Sequence, residues 1–207
     1  MSKLIEINNV SFAVKNKKII DNLSLTIQET GVSLIIGPNG AGKTTLLKLM
    51  AKIVNPTSGN IIYNNFSQNL PVGFVFQKSI LLKRTVRENL LHALKSAQIK
   101  GTNESFNEAI DNKLKENNVY HLSEIPAQKL SIGQQQIVSI VRALIINPWI
   151  LFLDEPTSSL DSSYTEIVEK IIKEESRNIK IILVSQNLNQ TGISNKKAIY
   201  LNNGKLQ

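Results

Sequence analysis

The sequence predicts an α/β fold carrying a helical insertion, and three observations support that reading. Strand-like texture fills residues 3–36 and returns at "WILFLD" and "IKIILVS". A glycine-rich turn at 37–42 opens an apolar-periodic helix, and from Thr85 to about Ile146 the apolar residues recur at helical spacing.

In chain order, "KLIEINNVSF" alternates as a half-buried strand does, "LSLTI" follows, and "VSLIIG" is continuously apolar, as a strand covered on both faces requires. The helix after the glycine turn carries Leu46, Leu47, Met50, Ile53 and Val54 on its apolar side and stops before Pro56. Thr85 and Glu88 have capping-box spacing, starting a helix with Val86, Leu90, Leu94 and Ala97 inward, and Ser105 with Glu108 repeats the device. The expected organisation is a single domain over 1–207, with the helical part inserted at about 84–140.

The bulk properties narrow the function. A 42% hydrophobic chain of 207 residues can bury a sizeable core. It has no apolar run near the roughly 18 residues needed to span a bilayer. The opening "MSKLIEINNV" lacks the apolar run and small-residue cleavage site of a secretory signal, so none is expected. The absence of cysteine excludes disulfides, thiolate metal sites and a cysteine nucleophile, and suits a cytoplasmic protein. The net charge of +8 is scattered, its densest run "KNKK" at 15–18 having no interleaved aromatics. That pattern reads as a solvated surface rather than a nucleic-acid partner.

Strand, then Gly37-Pro38-Asn39-Gly40-Ala41-Gly42-Lys43-Thr44, then helix is the G-x-x-x-x-G-K-S/T phosphate loop in its required context. Backbone N–H groups wrap the phosphates, the helix N-terminus adds its positive dipole end, Lys43 points a charge at the β and γ phosphates, and the Thr44 hydroxyl can ligate Mg²⁺. "WILFLDEP" ends a buried strand on two carboxylates, which burial penalises unless they are paired or metal-bound. Asp154 reads as the Mg²⁺-side partner and Glu155 as the base that polarises an attacking water.

"KLSIGQQQIVSIVRAL" before "LFLDEP" turns this into a family reading. With "GPNGAGKTT", "VFQKSILLKRTVRENL", "LFLDEPTSSLD" and the closing "IYLNNGKL" in order, the chain resembles an ATP-binding cassette (ABC) ATPase from end to end. The resemblance implies a P-loop NTPase core, mainly parallel sheet with an N-terminal antiparallel β subdomain, plus the inserted helical subdomain. It implies that residues 37–45, Thr45 included, bind nucleotide and that Gln77 touches Mg²⁺ and the attacking water. Ser131, Gly133 and Gln134 would meet the γ-phosphate held by a second subunit in a head-to-tail dimer, and "SSLD", ending at Asp161, would run along the interface.

Three positions depart from the family pattern. Ile132 occupies the third position of L-S-G-G-Q, which implies a weakened γ-phosphate contact. Val14 falls where an aromatic residue stacks on adenine, with Phe12 two residues away on the same strand face. Gln186, in "VSQ", takes the place of the switch histidine of "VTH"; it can donate a hydrogen bond to a phosphate but cannot carry an imidazole's charge.

The resulting expectation is an ATPase subunit of a membrane transporter, driving transmembrane permease subunits from the cytoplasmic face of the inner membrane. ATP and Mg²⁺ are its cofactors, a second nucleotide-binding subunit and a solute-binding protein are its further partners, and small-solute import of the oxyanion type is its task. The alternatives are a nucleotide-gated, poorly hydrolysing module without the switch histidine, and a small exporter ATPase of the haem-exporter type. The interval from Gly42 to Leu130 leaves no room for the long coiled coil of chromosome ATPases.

Overall fold

The computed structural model describes residues 3–15, 17–64, 71–186 and 198–207. Met1 and Ser2 of the opening segment and Asn16 of the lysine run lie outside the described residues. The chain opens with two long strands, β1 (Lys3–Val14) and β2 (Lys17–Gln28), paired antiparallel. β4 (Ser58–Tyr63) adds to the other edge of β1, giving a three-stranded antiparallel sheet in the order β2-β1-β4.

The second sheet is built on β3 (Val32–Ile36), β5 (Val72–Val75), β6 (Ile150–Asp154), β7 (Lys180–Ser185), β8 (Ala198–Asn202) and β9 (Lys205–Leu206). Its order is β5-β6-β7-β3-β8-β9, parallel throughout except for the closing β8–β9 pair. Every residue of β6 and β7 is buried. This matches the largely apolar texture of "ILFLD" and "KIILVS", since both faces of a central parallel strand are covered.

One face packs on α1 (Lys43–Met50) and the antiparallel sheet, through Leu46, Leu47, Phe152, Ile182, Ile5 and Ile20. On the other face lie α2 (Val86–Ser96), α3 (Asn103–Glu116), α4 (Ile132–Leu144) and α5 (Ser162–Glu175), which share a core with Leu34, Leu151 and Leu183.

Two local expectations need correcting. Ile53 is 48% exposed, because α1 ends at Met50 and Lys52, at φ +56°, turns the chain away before Ile53 can join the apolar stripe. Helix α3 begins one turn early. Thr102, not Ser105, is its cap: the Thr102 hydroxyl accepts from Ser105 N and the Ser105 hydroxyl accepts from Thr102 N. This reciprocal pair satisfies both orphan donors without Glu108.

The box at Thr85 forms as expected, with the Glu88 amide donating to Thr85 Oγ1 at 3.2 Å and Thr85 N donating to Glu88 Oε2 at 2.8 Å. Thr85→Ala is expected to cost about 1 kcal/mol of stability, read as a lower urea midpoint with an unchanged slope.

Candidate nucleotide site

The site is assembled where β3 and β6, adjacent to β7 on its two sides, deliver their C-terminal ends to one edge of the sheet. β3 feeds the loop 37–42, and Gly42 caps α1 at φ +100°, a left-handed backbone that a side chain would strain. The Lys43 ammonium folds back into this loop, donating to the carbonyls of Gly37 at 2.8 Å and Pro38 at 3.2 Å. The loop, with Lys17, Lys18 and Ile19 of β2, Gln77, Glu155 and Asn203, walls a cleft of about 510 Å³.

β6 ends on Asp154, whose Oδ1 accepts the Thr44 hydroxyl at 2.8 Å. Burial is the leading cause that lifts this carboxyl above the ordinary aspartate range; the Thr44 hydrogen bond and the charges of Lys48 and Lys43 oppose it. A cation beside it would favour the ionised form. Thr44 on the cleft wall and the buried Asp154 bonded to it together offer two hard oxygen donors, a set that fits Mg²⁺. Among the described residues no group of three His, Asp or Glu side chains gathers to hold a metal. A cation here would therefore complete its shell with phosphate oxygens and water.

Glu155 follows at φ +46°, a left-handed conformation for a residue with a side chain, of the kind that costs of order 1 kcal/mol and concentrates at functional sites. Its amide donates to the Val184 carbonyl at 3.1 Å, which holds the turn onto β7. Three donors meet its carboxylate. Lys43 Nζ stands 3.3 Å from Oε1, and Oε2 accepts from Gln77 Nε2 at 3.0 Å and from Gln186 Nε2 at 2.8 Å. Gln77 also lies 3.3 Å from Ser158 Oγ, which donates to the Glu155 carbonyl at 3.0 Å.

Four sequence-predicted residues from four separate segments, Lys43, Gln77, Glu155 and Gln186, are thus in direct contact, and Thr44 and Asp154 pair beside them. Thr45 joins the cleft wall. Gln186, whose sequence position points to a phosphate contact, places its amide on Glu155.

Ser131, Gly133 and Gln134 stand together elsewhere, at the start of α4. Ser131 caps the helix through Gln134 N at 3.2 Å, and the Gln134 side chain accepts from Ser131 N at 3.0 Å. Ile132 projects from this turn, 67% exposed. Asp161 caps α5, its Oδ1 accepting from Tyr164 N at 3.0 Å and Ser163 Oγ at 2.7 Å, and these bonds hold its carboxyl below the ordinary range.

Val14 ends β1 47% exposed and is not on the cleft wall, and Phe12 packs on the core. The sequence argument missed Lys17, Lys18, Ile19 and Asn203, which line that side. Only the strand pairing, not any motif, brings them there.

The profile of the ABC transporter family matches residues 20–158. The chain belongs to this family. As an ABC transporter ATP-binding domain it is an ATPase. It is 34% identical over 208 residues to the tungstate uptake ATP-binding protein TupC of Peptoclostridium acidaminophilum, covering 98% of this chain and 96% of that one. To the zinc import ATP-binding protein ZnuC of Buchnera aphidicola (subspecies Baizongia pistaciae) it is 35% identical over 205 residues, covering 98% and 82%.

Among solved structures, the dimeric post-hydrolysis state of the ATP-binding cassette MJ0796 with ADP and phosphate superposes with a TM-score of 0.83 at 26% identity, covering 99% of this chain and 97% of that one. CbiO1 of Clostridium perfringens shares the fold at a TM-score of 0.86 and 24% identity, covering 100% and 88%.

Proposed function

We propose that this ABC ATPase drives import of a small inorganic solute, of the oxyanion type, by closing and reopening a head-to-tail dimer around MgATP. The observation that carries the mechanism is the convergence of Lys43, Gln77 and Gln186 on the Glu155 carboxylate. In the free protein these three donors fix the direction of that carboxylate, as a base must be fixed before it can take a proton from water.

In this reading residues 37–45 cradle the triphosphate and Lys43 exchanges its contacts with Gly37, Pro38 and Glu155 for phosphate oxygens. Thr44, Asp154 and Gln77 would hold Mg²⁺, which supplies charge neutralisation on the β and γ phosphates. Glu155 accepts the proton of the attacking water. Gln77 and Gln186 orient Glu155, and Gln186 is placed to pass its amide to the γ-phosphate. Ser131, Gly133 and Gln134 face the nucleotide held by the second copy, and Asp161, at the end of "SSLD", lies along the interface between the two sites; the dimeric cassette MJ0796 supports a dimer. Val14 holds the base-stacking position by sequence alone, being off the cleft wall.

No helix among the described residues is long and apolar enough to cross a membrane; in this reading the transport path lies in permease subunits. The protein would bind them at the cytoplasmic face of the inner membrane, with a solute-binding protein delivering the cargo. We take 1–207 as one domain, with 84–140 as a helical subdomain moving against the core. The import reading rests on the likeness to the tungstate and zinc relatives, and the near-full mutual coverage with the tungstate protein favours the oxyanion.

The Gln186 series tests the mechanism. With the permease present, Gln186→Ala is expected to lower steady-state turnover about tenfold with little change in ATP affinity. Gln186→His, which restores a donor able to bear charge, is expected to raise it about tenfold, within the usual reach of one proton-handling or positioning group. Equal rates for glutamine, alanine and histidine would make Gln186 an idle loop residue.

A further inference from the structure

Tyr164 lies on the first turn of α5 and touches both segments that the proposed mechanism turns toward the second subunit. Its backbone N–H donates to Asp161 Oδ1 at 3.0 Å, tying it to the end of the "SSLD" run. Its ring packs directly on Gly133 in the signature turn: a Cβ on Gly133 would come within 2.4–2.7 Å of the ring's Cγ, Cδ1 and Cδ2. Its hydroxyl accepts from Ser131 Oγ at 3.5 Å. Tyr164 is partly buried and packs against the main apolar core.

We propose that Tyr164 is a positioning residue that locks the Ser131–Gln134 turn to the Asp161 loop, so that the two segments move as one body and events at one nucleotide are felt at the other. This rests on the proposed head-to-tail dimer, in which the signature turn meets the second copy's nucleotide and the Asp161 loop runs along the interface between the two sites. The physical argument is one of contact. Gly133 has no side chain, and the atoms nearest to where one would stand are those of the Tyr164 ring, so on the α5 side the signature turn bears on that ring. An aromatic side chain that packs on the core, on a backbone tied to Asp161, is stiff because it has only two side-chain torsions. Displacing the Asp161 loop therefore displaces the signature turn, and the reverse holds. In a head-to-tail dimer the Asp161 loop lies near one nucleotide and the signature turn completes the other, so each chain would carry one such link. Coupling between sites needs an element that both sites bias, and this contact supplies one.

The test uses the assembled transporter and the dependence of ATP hydrolysis on ATP concentration. The wild-type curve is expected to be sigmoidal, with a Hill coefficient above 1 and at most about 2, the limit set by two coupled sites. Tyr164→Phe keeps the ring over Gly133 and is expected to retain the curve. Tyr164→Ala removes the ring and is expected to bring the Hill coefficient toward 1 and raise the half-saturating ATP concentration several-fold. Tyr164→Leu, which preserves apolar volume without a flat face, should follow alanine and serves if alanine lowers the melting temperature too far.

A double-mutant cycle checks the contact itself. Gly133→Ala alone should depress turnover by driving the ring away, and combining it with Tyr164→Ala should recover part of that loss. An unchanged curve in folded Tyr164→Ala and Tyr164→Leu, or strict additivity with Gly133→Ala, overturns the proposal. Glu155→Gln is run beside them: loss of hydrolysis there with an ordinary Tyr164→Ala curve sinks the coupling role alone, whereas hydrolysis surviving in Glu155→Gln sinks the catalytic reading beneath it.

Discussion

Glu155→Gln is expected to reduce phosphate release from MgATP by about 10²- to 10⁴-fold, the range that a positioned base contributes, while nucleotide remains bound. The substitution preserves size and the turn at φ +46° but replaces the proton acceptor with an amide. It also changes the local hydrogen bonding. Gln77 and Gln186 both aim N–H donors at Oε2, and an amide keeps one acceptor oxygen for them, so the two glutamines can still converge on the residue. What disappears is the negative charge opposite Lys43 and the γ-phosphate. Lower repulsion should favour a closed, nucleotide-loaded dimer, visible by size exclusion with ATP. A variant that hydrolyses ATP at the wild-type rate would mean that another group is the base.

Lys43→Ala is expected to weaken ATP binding by about 10²- to 10³-fold, equivalent to roughly 3–4 kcal/mol for losing a charge that contacts phosphate in a partly enclosed cleft. It has a second consequence in the free protein. Lys43 and Glu155 are both nearly buried, at 5% and 7% side-chain exposure, and removing a buried charge's partner is costly. Two amide donors still satisfy Oε2, so the stability loss should stay near 1–3 kcal/mol. Isothermal titration with MgATP and urea unfolding separate the two effects.

The parts of this molecule that were legible in the sequence are those in which a local pattern has a local cause. β6 and β7 read as buried strands because every side chain on both faces is covered, which leaves a largely apolar run. The loop 37–42 read as a phosphate cradle because glycine spacing before a helix has few other uses. Strands β4 and β5 were not read. "VGFV" is too short to show a period, and "SGNIIY" begins with poor strand formers whose pairing with β1 is decided by tertiary contact.

The cap of α3 was misplaced because Thr102-x-x-Ser105 and Ser105-x-x-Glu108 have the same spacing, and only the folded chain selects between them. Within the site, the residue types were legible and their partners were not. Nothing in "VSQ" says that Gln186 turns to Glu155, or in "DSSY" that Tyr164 bears on Gly133. Both contacts join segments far apart in sequence, and their geometry follows from sheet order and helix packing, which no short motif encodes.

The most direct test of the account is the rate of phosphate release from MgATP, at saturating nucleotide, for the wild-type protein beside Gln186→Ala and Glu155→Gln. The account predicts a descending order: wild type, then Gln186→Ala about tenfold lower, then Glu155→Gln lower again by at least a further tenfold. Equal rates for wild type and Glu155→Gln would contradict it.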